Sequence, residues 1–298
     1  MTQQKGKNMN QVSVIGCGNM GGALIQALAN QNVPVHIWNR TLEKAQALAR
    51  SGVNVAESFG AALAAGQITI FCLSDPDYAI ATTLLQNEKE KISGKIIVQL
   101  SSGEATSVKQ LQEFVETSGG SYIDGAILVD PGVIGTPKGM IIYSGNSSTF
   151  ETAQSTLALF GKAVFIGEES EMIGMLEFGL NIAAIPMEVG LLQGRKFCQR
   201  ANVPVKLFDS LVHSFITNHS GRILEWMQQT TDTNSLKSGA TVSLLAEGTQ
   251  EISKSIRDYE IDPGMFDAIS KLYAGGVANG RGDHDSLCVA DLHSIKDE

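Results

Sequence analysis

The run Gly16-Cys17-Gly18-Asn19-Met20-Gly21 constrains this chain more than any other stretch. It follows a short apolar segment, residues 11–16, and opens a stretch with helical spacing, residues 20–30. In that setting a GxGxxG run is a phosphate-binding turn. The first glycine makes the tight bend, the second lets backbone approach a pyrophosphate, and the third lets helix pack on strand. The helix N-terminus adds amide donors and positive potential for the phosphates. A glycine-rich turn without a ligand would not need a strand before it and a helix after it. The turn therefore fixes the first βαβ unit.

The same alternation continues downstream. Residues 33–38, 52–55, 68–73, 95–100 and 121–123 read as strands, and 41–50, 58–65, 77–86 and 104–117 as helices, with Thr41 as a helix cap. Residues 138–144 and 163–167 complete the strands, with a helix over 147–159. Continuous apolar strands alternating with helices mean a parallel sheet covered on both faces. After Gly167 the β signal stops, and 172–192, 205–218, 219–229, 239–259, 263–274 and 285–294 all have helical patterns. The expected fold is α/β: a Rossmann doubly wound parallel sheet, then a long interdomain helix and an all-α C-terminal domain. The expected domains are residues 1–167 for the nucleotide and 168–298 for the helical part.

Charge limits the partners. A formal charge of -9 in 298 residues argues against nucleic acid or an anionic membrane surface, and suits a cationic substrate. Cys17, Cys72, Cys198 and Cys288 form no CxxC pair, so reduced thiols and a cytoplasmic location are expected, with no metal site. The polar start has no signal-peptide core.

Residues 172–192, MIGMLEFGLNIAAIPMEVGLL, form the most apolar helical stretch, expected to be buried. Glu177, Asn181 and Glu188 interrupt it. At about 100° per residue, the latter two fall roughly 40° and 20° from Glu177, so all three share one edge. A polar edge on an apolar rod suggests a cleft wall; a dimer-core helix with two hydrogen-bonded carboxylates accounts for it equally well. Pro186 should kink the helix near Ile182.

The end of the second strand decides the dinucleotide. Where NAD-binding folds carry an acidic residue for the ribose, this chain has Asn39-Arg40-Thr41, with Lys44 one turn on. Arg40's planar fork, Thr41's hydroxyl and Asn39 can hold a 2′-phosphate, and NADPH is the expected cofactor.

IGCGNMGGALIQAL, WNRTLEKAQAL, FCLSD, LSSG and YIDGAI…IGTPKGMIIYSG together resemble the imine reductase branch of the β-hydroxyacid dehydrogenase superfamily. The resemblance extends to residues 278–286, ANGRGDHDS. It implies a C-terminal domain exchanged with a second subunit, giving a domain-swapped homodimer with shared cofactor clefts. It implies Gly16, Gly18, Asn19 and Met20 at the pyrophosphate, and Asn39, Arg40 and Lys44 at the 2′-phosphate. Cys72, Leu73 and Ser74 would border the adenosine, with Ser101, Ser102 and Gly103 by the nicotinamide. Glu177 falls where imine reductases carry a catalytic Asp or Tyr and hydroxyacid dehydrogenases a Lys, while Gln99 stands where many relatives have Asn.

That substitution bears on the reaction. Reducing a ketone builds negative charge on oxygen, which an ammonium stabilises. Reducing an imine passes through a cation, which a carboxylate stabilises; a protonated carboxyl, favoured in a dry cleft, can also deliver the proton. Glu177 thus speaks for a cyclic imine or iminium substrate over a hydroxyacid or aldehyde; a non-catalytic NADPH-binding dimer is the other alternative. Asp124 is expected to cap a turn into Gly125. His213 and His219 are expected to be structural, the Asp283–Asp285 trio around His284 a solvated turn, and Trp226 packing.

Overall fold

The computed structural model describes residues 11–73, 77–101, 105–170, 172–229 and 238–291. The chain divides into two compact units, Met1–Ile182 and Ala183–Glu298.

The first unit is built on one eight-stranded sheet. Its strands are β1 (Val12–Ile15), β2 (Val35–Trp38), β3 (Val53–Val55), β4 (Ile68–Phe71), β5 (Ile96–Gln99), β6 (Ser121–Ile127), β7 (Met140–Gly145) and β8 (Lys162–Phe165). They lie in the order β3-β2-β1-β4-β5-β6-β7-β8. Helices α1 (Asn19–Asn30), α2 (Leu42–Gln46), α3 (Phe59–Ala65), α4 (Asp77–Asn87), α5 (Ala105–Thr117) and α6 (Ser147–Leu157) connect them. The strand order reverses beside β1, where an open α/β sheet leaves its ligand crevice.

Strands β1, β4 and β5 are buried at every position, as their unbroken apolar runs require. One face, with Val14, Ile70 and Val98, packs under Leu24 and Leu28 of α1 and Leu157 of α6. The other, with Ile15, Phe71, Ile97 and Tyr122, packs under Leu63, Leu85 and Leu111 of α3, α4 and α5. Each such side chain contributes about 1.5–3 kcal/mol.

The sheet departs from the expected parallel arrangement at one place: β7 runs antiparallel to β6, pairing Ile127 with Ile141 and Ile123 with Gly145. The link between them holds a single 3₁₀ turn, Pro131–Val133, and no crossover helix, so the chain reverses. Strand β6 also runs on to Ile127, past the Asp-Gly pair that reads locally as a turn.

The second unit is helical. Helix α7 (Met172–Arg200) enters it from the first and is continuous through Pro186. Helix α8 (Val205–Gln229) is one rod where the sequence suggests two. Helices α9 (Val242–Asp258) and α10 (Gly264–Ala278) pair closely. Thr241 caps α9 by accepting from the Leu244 amide at 3.2 Å, and the Asp262 carboxylate accepts from the Gly264 amide at 2.9 Å.

The expectation that residues 172–192 are buried does not hold within one chain. Ile182 is 75% exposed and Phe178 54%, while Ile173 alone on α7 is buried among the described residues. Asn181 and Glu188 are exposed with their apolar neighbours. Apolarity predicted a covered helix correctly only if the cover comes from outside the chain.

Candidate active site

The glycine turn is shaped by backbone contacts. Gly16 has φ +109, donates its amide to the Trp38 carbonyl at 2.9 Å, and has the Cys72 carbonyl where a Cβ would sit. At Gly21 a Cβ would strike the Gly16 carbonyl, so helix α1 sits directly on the turn. Gly18 differs: it is exposed, and nothing lies within 4 Å of the corresponding position. Gly18 is also the N-cap of α1, and among the described residues no side chain bonds to the first-turn amides. An open approach to uncapped amides is what a pyrophosphate requires, so the turn fits a dinucleotide. Asn19 and Met20 stand in that first turn.

Asn39 braces this turn to the end of β2. Its side-chain oxygen accepts from the Cys17 amide at 3.0 Å, and its amide nitrogen donates to the Thr41 carbonyl at 2.9 Å. Its polar atoms are thus engaged in holding backbone. Arg40, Thr41 and Lys44 are exposed beside it; Thr41 occupies the N-cap of α2 without using its hydroxyl on the helix. No carboxylate forms an ion pair with Arg40 or Lys44 among the described residues.

The ends of β4 and β5 are tied together. The Leu73 amide donates to the Ser101 hydroxyl at 3.0 Å, and that hydroxyl donates to Gln99 Oε1 at 3.4 Å. Gln99 is fully buried, and its Nε2 finds no partner among the described residues. Cys72 and Leu73 are half-buried. Burial pushes the Cys17 thiol up to about 11, which removes it as a nucleophile. Ser74, Ser102 and Gly103 lie outside the described residues.

Glu177 is half-buried, one turn beyond Met172, at the end of α7 that docks through Ile173 on Ala126 and Ile142. Its charge acts on Asp124. That aspartate corrects the turn-cap reading: it lies within β6, paired in register with Gln99 of β5, and is 2% exposed. Its Oδ1 accepts the hydroxyls of Tyr78 at 2.6 Å and Tyr122 at 2.9 Å. Burial drives its carboxyl upward, the two tyrosine bonds draw it down, and the negative charge of Glu177 pushes it up again, leaving it at about 7. Burial and the neighbouring carboxylate push Tyr122 well above the usual phenol range.

Sequence reasoning joined neither Tyr78 nor Tyr122 to Asp124. The signal was present, because Tyr122 and Asp124 at a spacing of two share one strand face. Elsewhere His219 stacks on Phe215 and Arg222 lies over Trp226. Asp285 organises a turn by accepting from the Ser238 hydroxyl and the Gly239 and Leu287 amides.

Residues 11–167 match the family of the NAD binding domain of 6-phosphogluconate dehydrogenase. An NADPH-dependent reductive aminase of Aspergillus oryzae is 24% identical over 288 residues, covering 95% of this chain and 97% of that protein. An imine reductase from Pseudomonas sp. superposes with a TM-score of 0.89 at 25% identity, covering 96% of this chain and 99% of that one. An imine reductase from Myxococcus stipitatus, solved in complex with NADP+, has a TM-score of 0.84 at 25% identity over 95% and 99%.

Proposed function

The chain belongs to the family of the NAD binding domain of 6-phosphogluconate dehydrogenase and, over 95–96% of its length, to the imine reductases of the β-hydroxyacid dehydrogenase superfamily, and from that membership we propose its reaction, site and assembly. It reduces cyclic imines or iminium ions to amines. NADPH, when bound, supplies the hydride; everything else is done by the chain's own side chains and backbone.

Gly16, Gly18, Asn19 and Met20 receive the pyrophosphate on the uncapped start of α1. Arg40, Thr41 and Lys44 take the 2′-phosphate, and Asn39 fixes the backbone from which they project. Cys72, Leu73 and Ser74 border the adenosine, and Ser101 and Ser102 the nicotinamide. Residues 1–167 act as the nucleotide domain and 168–298 as the helix and substrate domain.

The observation that carries the reaction is the sign of charge at position 177. A carboxyl stands there, in electrostatic contact with a second carboxyl, Asp124. Two carboxyls favour a C=N group that becomes cationic over a C=O group that becomes anionic. Glu177 serves as acid, delivering a proton to the substrate nitrogen, or as stabiliser of the iminium charge. Replacing Glu177 with Gln should leave NADPH affinity intact while imine turnover falls at least about tenfold. Unchanged turnover would dismiss the role. Turnover of short oxo acids in preference to imines would favour a hydroxyacid dehydrogenase, and tight NADPH binding with neither substrate reduced would favour a non-catalytic dimer.

The exposed apolar length of α7 supports a domain-swapped homodimer, in which helices of a second copy cover Phe178, Ile182 and Ile185. By composition α7 is also long and apolar enough to cross a membrane. Glu177 and Glu188 within it favour the dimer core instead. Four free cysteines suit a cytoplasmic setting.

A further inference from the structure

A carboxyl as buried as Asp124 is ordinarily neutralised by a lysine or arginine. Here the partners on Oδ1 are two phenols, and the Gly125 amide also bonds to the carboxyl. Phenol and amide donors stabilise a carboxylate without cancelling its charge. Among the described residues, none of the groups that act on it is a cation. Tyr122 comes from its own strand, Tyr78 from α4 and Glu177 from α7. Its register partners are Gln99 on β5 and Ser144 on β7, each with a buried polar atom unpaired among the described residues. From α5, Val108, Leu111 and Val115 face the core while Lys109 and Glu113 are exposed, and α6 covers the opposite sheet face with Phe150 and Ala153.

We propose that Asp124 is a second anionic centre behind Glu177, a positioning residue that makes the site select cationic ligands, cyclic iminium ions and the protonated amines formed from them, over neutral imines and ketones. The proposal rests on reading Glu177 as facing the substrate. The charge of Glu177 already acts on Asp124. A cation held beside Glu177 acts on Asp124 with the opposite sign, so its binding and the ionisation of Asp124 are linked: the cation binds, and the carboxyl proton leaves to solvent. In a water-poor interior that field reaches further than in solution. Burial and the charge of Glu177, against the pull of the tyrosine bonds, leave the carboxyl at about 7, so the centre changes charge in the neutral range.

The test is steady-state kinetics of the NADPH-loaded full-length enzyme between about pH 5.5 and 8.5. The probes are an N-methylated cyclic iminium, whose charge does not depend on pH, and a neutral ketone of the same ring size. In the unaltered enzyme KM for the iminium should fall on the order of fivefold as pH rises, while KM for the ketone does not follow. Asp124→Asn should flatten the iminium profile with its low-pH value retained. Tyr78→Phe keeps the carboxyl but removes a donor, so it should move the midpoint to higher pH; it decides the matter if Asp124→Asn does not fold. A full pH-dependent fall in Asp124→Asn, an unmoved midpoint in Tyr78→Phe, or a ketone profile of the same shape would overturn the proposal. Glu177→Gln separates the two ideas. Loss of its turnover with a surviving pH-dependent iminium KM supports both, whereas normal turnover sinks the Glu177 role and leaves the Asp124→Asn comparison to judge Asp124.

Discussion

Replacing Asp124 with Asn should reverse its effect on stability between acid and neutral pH. The folded carboxyl titrates at about 7, against an ordinary value of 3.8, a rise of about three units. At ~1.4 kcal/mol per unit, this comes to about 4 kcal/mol. Asp124 is 2% exposed, so solvent does not screen the effect away. Because the folded state holds the proton more tightly, the stabilisation is complete below about pH 4, declines as pH rises, and is gone above about pH 7. Asn cannot ionise and has no such decline. Below about pH 4 the variant should be less stable by about 1 kcal/mol, since its buried NH2 group has two donors to satisfy where the protonated carboxyl has one. The curves should cross near about pH 5, and by about pH 8 the variant should be ahead by a few kcal/mol. Urea unfolding of both proteins at matched concentration across this range measures the difference directly, and other titrating groups cancel in it. A difference that does not change with pH would refute the account of Asp124 as a buried, uncompensated carboxyl.

Arg40→Ala should weaken NADPH binding about 10- to 100-fold in a fluorescence titration, with NADH changed by less than about twofold. Gly18→Ala should leave thermal stability within about 0.5 kcal/mol yet weaken NADPH, because its Cβ enters open space that a pyrophosphate would occupy. Gly21→Ala should instead cost roughly 1–3 kcal/mol in a denaturant melt, because its Cβ meets the Gly16 carbonyl. Ile182→Arg, at a position 75% exposed in one chain, should shift the molar mass by light scattering from dimer to monomer.

The parts legible in the sequence were those determined locally. The glycine turn was readable because three glycines, a strand and a helix occur within about twenty residues, and each glycine has a separate physical duty. The β–α alternation followed from apolar periodicity. What escaped was set by distant pairing. Asp124-Gly125 reads as a turn in its own neighbourhood, but hydrogen bonding to β7 carries β6 through it to Ile127. Tyr78 lies 46 residues from Asp124, and no local pattern joins them. The direction of β7 depends on the missing crossover helix between β6 and β7, a length of link that local patterns do not determine. Helix α7 was read from composition, which says that a surface will be covered but not by which molecule.

The contrast between Gly16 and Arg40 has an evolutionary consequence. Gly16 and Gly21 press against backbone carbonyls, so neither can gain a side chain without rebuilding strand, turn and helix together. Arg40, Thr41 and Lys44 project from the surface, where replacement disturbs little packing. If Arg40, Thr41 and Lys44 hold the 2′-phosphate as proposed, descendants of this chain can exchange one dinucleotide for another through a few solvent-facing changes, while the turn that holds any dinucleotide stays locked into the architecture.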